Sequence, residues 1–227
     1  MENELLILHA GRPGHLEGRL GETLRAALEG RALRFAGEGE PLEGRRLLFA
    51  FSLPENGVNL SLTGLLGWLR DHPGCLEGSA GGVVIDGAGD LYTKAAGREL
   101  ILAASMAGCA FPGRPLVEAT GALQNFAVQA RNAGCGLEEA YRLAVSGLAE
   151  RVAGFVPPRR ARPKVLALHA SSRATSNTLA LWGRVREALE PGCQVTEIGL
   201  RNGTLEDCAG CAYTTCLHFG EQGDCFY

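Results

Sequence analysis

Residues 165–170, VLALHA, form an almost unbroken apolar run that stops at a cluster of hydroxyls and amides. A run this short, apolar at successive positions, fits a strand buried on both faces of a parallel sheet. Parallel strands require crossover connections, usually helical, so this one run restricts the chain to an α/β layout. Next comes Ser171-Ser172-Arg173-Ala174-Thr175-Ser176-Asn177-Thr178, and helical spacing begins at Leu179. At such a strand-to-helix turn the first N–H groups have no acceptor within the helix and attract anions. One reading of the cluster is an N-cap, for which Ser, Thr and Asn are preferred. A single residue serves that purpose. The surplus of hydroxyls and amides beside Arg173 favours a phosphate cradle.

The same alternation runs back to the start of the chain. Strands are expected at residues 5–10, 32–35, 46–53, 81–85 and 114–119, and helices at 20–28, 61–70, 94–108, 122–132 and 137–153. Residues 156–163, VPPRRARP, interrupt the pattern with three prolines and three arginines, which suits a stiff, solvated linker. The expected division is therefore a unit at 1–155, the linker, and a second unit at 164–227. In the second unit a helix is expected at 178–189, stopped by Pro191-Gly192, and a strand at 194–200 ahead of a cysteine-rich loop. LLILHA at 5–10 and VLALHA at 165–170 make a weak internal repeat, read either as two related α/β units or as chance likeness of two apolar strands. Gly11-Arg12-Pro13-Gly14-His15 carries no hydroxyl cluster, so the first unit is expected to lack the phosphate site. A two-stranded parallel sheet cannot bury its faces. The second unit is thus expected either to share the first unit's sheet or to be the N-terminal part of a truncated domain, with truncation favoured.

Cys208, Cys211, Cys216 and Cys225 follow in the pattern C-x2-C-x4-C-x8-C. No apolar run approaches the ~20 residues of a membrane span, and MENELLILHAGRPG has neither a basic leader nor a cleavage site. A cytoplasmic setting is expected, in which clustered thiols serve metal or redox chemistry in place of disulfides. The other cysteines, Cys75, Cys109, Cys135 and Cys193, are scattered in apolar or Gly-rich surroundings and read as small hydrophobes. Four thiolates with Glu206, Asp207, Glu221 and Asp224 beside them repel one another strongly unless a cation offsets them. Spacing does not choose between tetrahedral zinc and a four-cysteine iron–sulfur cluster. A net charge of −3 leaves no basic footprint for nucleic acid. Asp86 and Asp90 read as turn formers after a strand, and Trp68 and Trp182 as helix-face packing.

Together, the S-S-R-x-x-S-N-T turn after a buried strand and the compact cysteine motif after the second strand resemble the flavodoxin-like NAD(P)H-dependent FMN reductases, specifically their iron–sulfur flavoprotein branch. The resemblance covers about the last 65 residues. It implies a flavodoxin-like parallel sheet with helices on both faces. It implies that Ser171, Ser172, Arg173, Ser176, Asn177 and Thr178 hold the FMN phosphate, and that Cys208, Cys211, Cys216 and Cys225 carry a [4Fe–4S] cluster. NAD(P)H or a redox protein is the implied electron donor, and a homo-oligomer the implied assembly. The later cysteine spacings are wider than the family's usual ones, which keeps zinc and redox-active thiols open. Two further functions thus stand beside electron transfer: a zinc-stabilised binding module, and a thiol reductase using Cys208 and Cys211.

Overall fold

The computed structural model describes residues 4–9, 18–30, 34–36, 39–157, 161–171, 175–201, 203–206 and 208–225. The chain separates into two compact units, Met1–Pro158 and Arg159–Tyr227, and the division falls within the Pro/Arg stretch. In the first unit, β1 (Leu5–His9), β2 (Arg34–Phe35), β3 (Arg46–Leu53), β4 (Ala80–Gly87) and β5 (Leu116–Ala119) form one sheet in the order β2-β1-β3-β4-β5. Every pairing is parallel. The order reverses between β1 and β3, which is the flavodoxin-like winding expected from the sequence.

Alternation along the strands sorts side chains to two cores. Leu5, Ile7, Leu48, Ala50 and Val84 meet α1 (Gly18–Ala27) through Leu20 and Leu24, and α5 (Leu137–Gly154) through Tyr141, Val145 and Leu148. Leu6, Leu8, Leu47, Phe49 and Val83 meet α2 (Leu60–Asp71) through Leu62, Leu66 and Leu69, and α3 (Thr93–Met106) through Leu100 and Ala103. These helical contacts recur every three or four residues, the spacing of one helix face. Asn59 caps α2, its side chain accepting from the Leu62 N–H at 2.9 Å. Glycine at position 82 lets α5 approach β4, because a Cβ there stands 2.8 Å from Val152 and 2.9 Å from Leu148. The helix expected at 122–132 starts later and in two pieces, a 3-10 turn at Gln124–Phe126 and α4 (Ala127–Ala133); Leu123, with a left-handed φ of 55°, stands outside it.

The second unit holds β6 (Lys164–His169), α6 (Asn177–Leu189) and β7 (Gln194–Gly199), with β6 and β7 parallel. Residues after β7 were read from sequence as loop, yet Tyr213–Gly220 forms a short helix, α7. Thr214, Thr215 and Cys216 are weak helix formers, so propensity gave no signal there. Neither α6 nor α7 buries a residue. Among the described residues no helix is long and apolar enough to cross a membrane.

Candidate functional site

β6 ends at His169, and Ser171 follows, half-buried, at the mouth of the turn. Ser172 and Arg173 lie outside the described residues. Ser176 is the N-cap of α6: its backbone is extended, and its Oγ accepts from the Leu179 N–H at 3.3 Å. The N-cap reading therefore holds for Ser176. Asn177 and Thr178, both exposed, are the first two helical residues, so their N–H groups have no acceptor within α6. No acidic residue sits in the first turn, which leaves the positive end of the helix dipole uncompensated by protein charge. A helix terminus of this kind attracts an anion.

A polar network beneath the turn connects strand, neighbouring strand and helix. Glu197 of β7 lies with Oε1 3.2 Å from His169 Nε2, and its Oε2 accepts from Trp182 Nε1 at 2.8 Å. Arg186 Nη1 stands 3.6 Å from the same Oε2, and Arg186 Nε 3.2 Å from Glu190. Donation by Trp182, then the fields of His169 and Arg186, hold the Glu197 carboxyl below its ordinary range. Trp182 is thus a hydrogen-bond donor as well as a packing residue. The available sequence signal was Glu197 itself, a charge on the otherwise apolar side of β7 that turns toward α6. His169 fits over β7 because its register partner is Gly199, where a Cβ would stand 3.2 Å from His169 Cε1.

The cysteine group lies beyond β7. All four thiols are unpaired; Cys208, Cys216 and Cys225 are exposed and Cys211 half-buried. The Cys216 thiol is pushed up from its ordinary value by partial desolvation, then by the nearby sulfurs of Cys211, Cys208 and Cys225. The four thiols therefore share one neighbourhood. They do not form a ready coordination shell: among the described residues no group of three or more His, Cys, Asp or Glu is gathered to hold a metal ion. Gly210 and Gly223 take left-handed φ values of 71° and 76°, turning the chain on either side of α7. As a donor set, four thiols fit a soft metal or an iron–sulfur cluster; ligation requires the segment to close. His218 packs edge-on against Phe219 at 5.1 Å.

In the first unit Asp86 is not a turn former. It stands in β4, 7% exposed, and receives the Arg19 guanidinium through Nε and through Nη2 at 2.8 Å. The same guanidinium donates to the carbonyls of Gly87, Thr120 and Gly121, tying α1 to the loops after β4 and β5. The Tyr141 hydroxyl feels the Asp86 carboxylate and is pushed up, chiefly by burial, yet makes no hydrogen bond of proper geometry. Sequence gave no sign of this clamp, whose members lie 67 residues apart. Residues 11–15, read as a poor phosphate turn, fall outside the described residues.

No protein-family model, curated protein or solved structure matches this chain. The chemistry of the second unit therefore carries the functional reading alone.

Proposed function

We propose that the protein is an FMN-dependent electron-transfer oxidoreductase of the iron–sulfur flavoprotein kind. The observation that carries this reading is the pairing, within one small unit, of an acid-free helix start after β6 with four unpaired thiols sharing one neighbourhood. The FMN phosphate is held at Ser171, Ser176, Asn177 and Thr178, with Ser172 and Arg173 completing the turn. Ser176 spends its acceptor on Leu179 and keeps its hydroxyl proton for the phosphate. Asn177 and Thr178 supply backbone N–H groups, and Arg173 supplies the neutralising charge.

Cys208, Cys211, Cys216 and Cys225 are the ligands of the metal centre. Their thiols release protons on ligation, so assembly is favoured as pH rises. FMN held at this turn would supply two-electron chemistry with a hydride donor such as NAD(P)H and one-electron chemistry with a cluster that the four cysteines would hold. The protein's own part is to fix the phosphate and gather the thiols. The active form is a homo-oligomer.

Two measurements on anaerobically purified full chain test this reading. FMN titrated into the protein is expected to bind with a quenched fluorescence that inorganic phosphate competes away, and riboflavin, lacking the phosphate, to bind at least ten-fold more weakly. Iron and acid-labile sulfide are expected in the four-to-four ratio of the cluster. Equal binding of FMN and riboflavin sinks the phosphate site. A colourless protein with stoichiometric zinc sinks the cluster in favour of a structural staple.

A further inference from the structure

We propose that the first unit binds an aliphatic carboxylate of medium chain length in a cleft between the outer edge of β5 and the helices α4 and α5. This does not depend on the FMN reading. β5 is the last strand of its sheet and pairs only with β4 among the described residues, so its other edge opens on the cleft. The cleft holds about 300 Å³, at the lower end of the range for small-molecule sites. Arg114 and Leu116 place it beside the start of β5, whereas ligands of open α/β sheets gather beyond the carboxyl ends of the strands.

The cleft is apolar along most of its length and cationic at one end. Val117 of β5 and Ala140 of α5 are buried and form the floor, and Leu143, 44% exposed, stands on the α5 side. About three helical turns beyond Ala140 comes Arg151. Its Nη2 donates to the Arg114 carbonyl at 3.1 Å, and its Nη1 lies 3.4 Å from where a Cβ on Gly147 would stand. The guanidinium is thus laid back over the preceding turn of α5, and glycine at 147 leaves it room. Arg114 lines the same cleft. Among the described residues neither guanidinium pairs with a carboxylate, and no Asp or Glu lines the cleft. Elsewhere in the first unit Arg19, Arg70 and Arg142 each meet an acid, and Glu118 of β5 is taken by Lys94.

A basic residue in the last turn suits the dipole of α5, which accounts for Arg151 alone. It does not account for Arg114, which takes a left-handed φ of 56° immediately before Pro115. That conformation is costly for a residue with a side chain, and a following proline disfavours it further. Strain of this kind gathers at ligand sites. The occupant's chemistry follows from the lining. Two uncompensated guanidiniums select an anion and reject an amine, and their planar donor pairs match a carboxylate. No Ser or Thr lines the cleft, so the hydroxyls that commonly share the binding of a phosphate are missing from the lining. The apolar floor and wall require that the carboxylate carry a hydrocarbon body.

The test is isothermal titration calorimetry of the full 227-residue chain with octanoate. Saturable binding is expected, with acetate, which lacks the hydrocarbon body, and octylammonium, which reverses the charge, each at least ten-fold weaker. Arg114→Gly removes one guanidinium at a backbone position that glycine adopts without strain, so the fold is not penalised. It is expected to weaken octanoate binding about ten-fold or more, as the loss of a charge-assisted hydrogen bond does. Arg151→Met, which keeps the apolar stem, is expected to show a similar loss. Octanoate carrying a diazirine at its far end locates the site, with labelling expected within residues 129–133 or 140–147. The proposal is overturned by a lack of saturable binding, by equal binding of octanoate and octylammonium, or by wild-type affinity in either variant. Tighter binding of octyl phosphate than of octanoate, or labelling confined to residues 164–227, overturns it as well.

Discussion

Replacing Arg19 with methionine keeps much of the side chain's apolar length and removes every hydrogen bond of the guanidinium. Asp86 then loses the one charge partner it has among the described residues, and the carbonyls of Gly87, Thr120 and Gly121 lose a donor. Breaking a buried ion pair from one side costs about 3–5 kcal/mol. The Arg19 and Asp86 side chains are 28% and 9% exposed, so water compensates part of the loss and the lower end, about 3 kcal/mol, is expected. That lowers the folding constant of the first unit about a hundred-fold, and its Tm by about 6–12 °C. The assay is urea unfolding of the full chain in a Trp182→Phe background, where Trp68 reports on the first unit as the sole tryptophan. Asp86→Asn added to Arg19→Met is expected to recover about half of the loss, because no unpaired charge then stays buried. A loss below about 1 kcal/mol, or a double variant no better than the single, refutes the view that this clamp holds the β4 and β5 loops to α1.

Four further outcomes are expected. Tyr141→Phe removes a buried hydroxyl with no partner and is expected to leave stability unchanged or raised by up to about 1 kcal/mol; a clear loss in urea unfolding reveals a bond to Asp86. Gly121→Ala puts a Cβ 2.4 Å from the Ala88 carbonyl oxygen, backbone against backbone, and is expected to destabilise by about 1–3 kcal/mol; a neutral result in the same assay shows that these loops yield. Ser176→Ala removes the cap of α6 and is expected to lower helix stability by about 1 kcal/mol, read from far-UV circular dichroism in urea, with an unaltered midpoint counting against it. Glu197 is held below its ordinary value, so what it contributes is intact above about pH 4.3 and is lost as pH falls through the depressed value. Trp182 fluorescence is therefore expected to change below that pH in the wild type and not in Glu197→Gln, and identical acid profiles dispose of the network.

Much of the fold was legible because its signals are local. RLLFAFSL became β3 at the bounds expected for it, since an apolar stretch flanked by Arg-Arg and Pro-Glu-Asn-Gly leaves few alternatives. β5 begins later than expected, at Leu116, because Arg114 takes a left-handed φ of 56° immediately before Pro115. The helix in the cysteine segment left no trace in propensity. The role of Asp86 was missed for another reason: Gly-rich flanks suggested a turn, and only the arrival of Arg19 from α1 makes a carboxylate tolerable inside a strand. At the candidate site, Ser176 as cap was legible and the His169–Glu197–Trp182 network was not, because its members meet only when β7 pairs with β6 and α6 folds over both.

The sequence by itself determined the α/β class, the division near the Pro/Arg stretch, the polar helix start after β6 and the spacing of the four cysteines. Each is written in contiguous residues, through alternation, turn chemistry or chain distance. The tertiary structure alone decided which strands adjoin, that Arg19 closes on Asp86, that Glu197 anchors α6, and that Leu166 and Leu168 are exposed where Leu6 and Leu8 of β1 are buried. Those facts depend on which distant segments meet, and a short apolar strand reads the same in sequence whether its edge is paired or open.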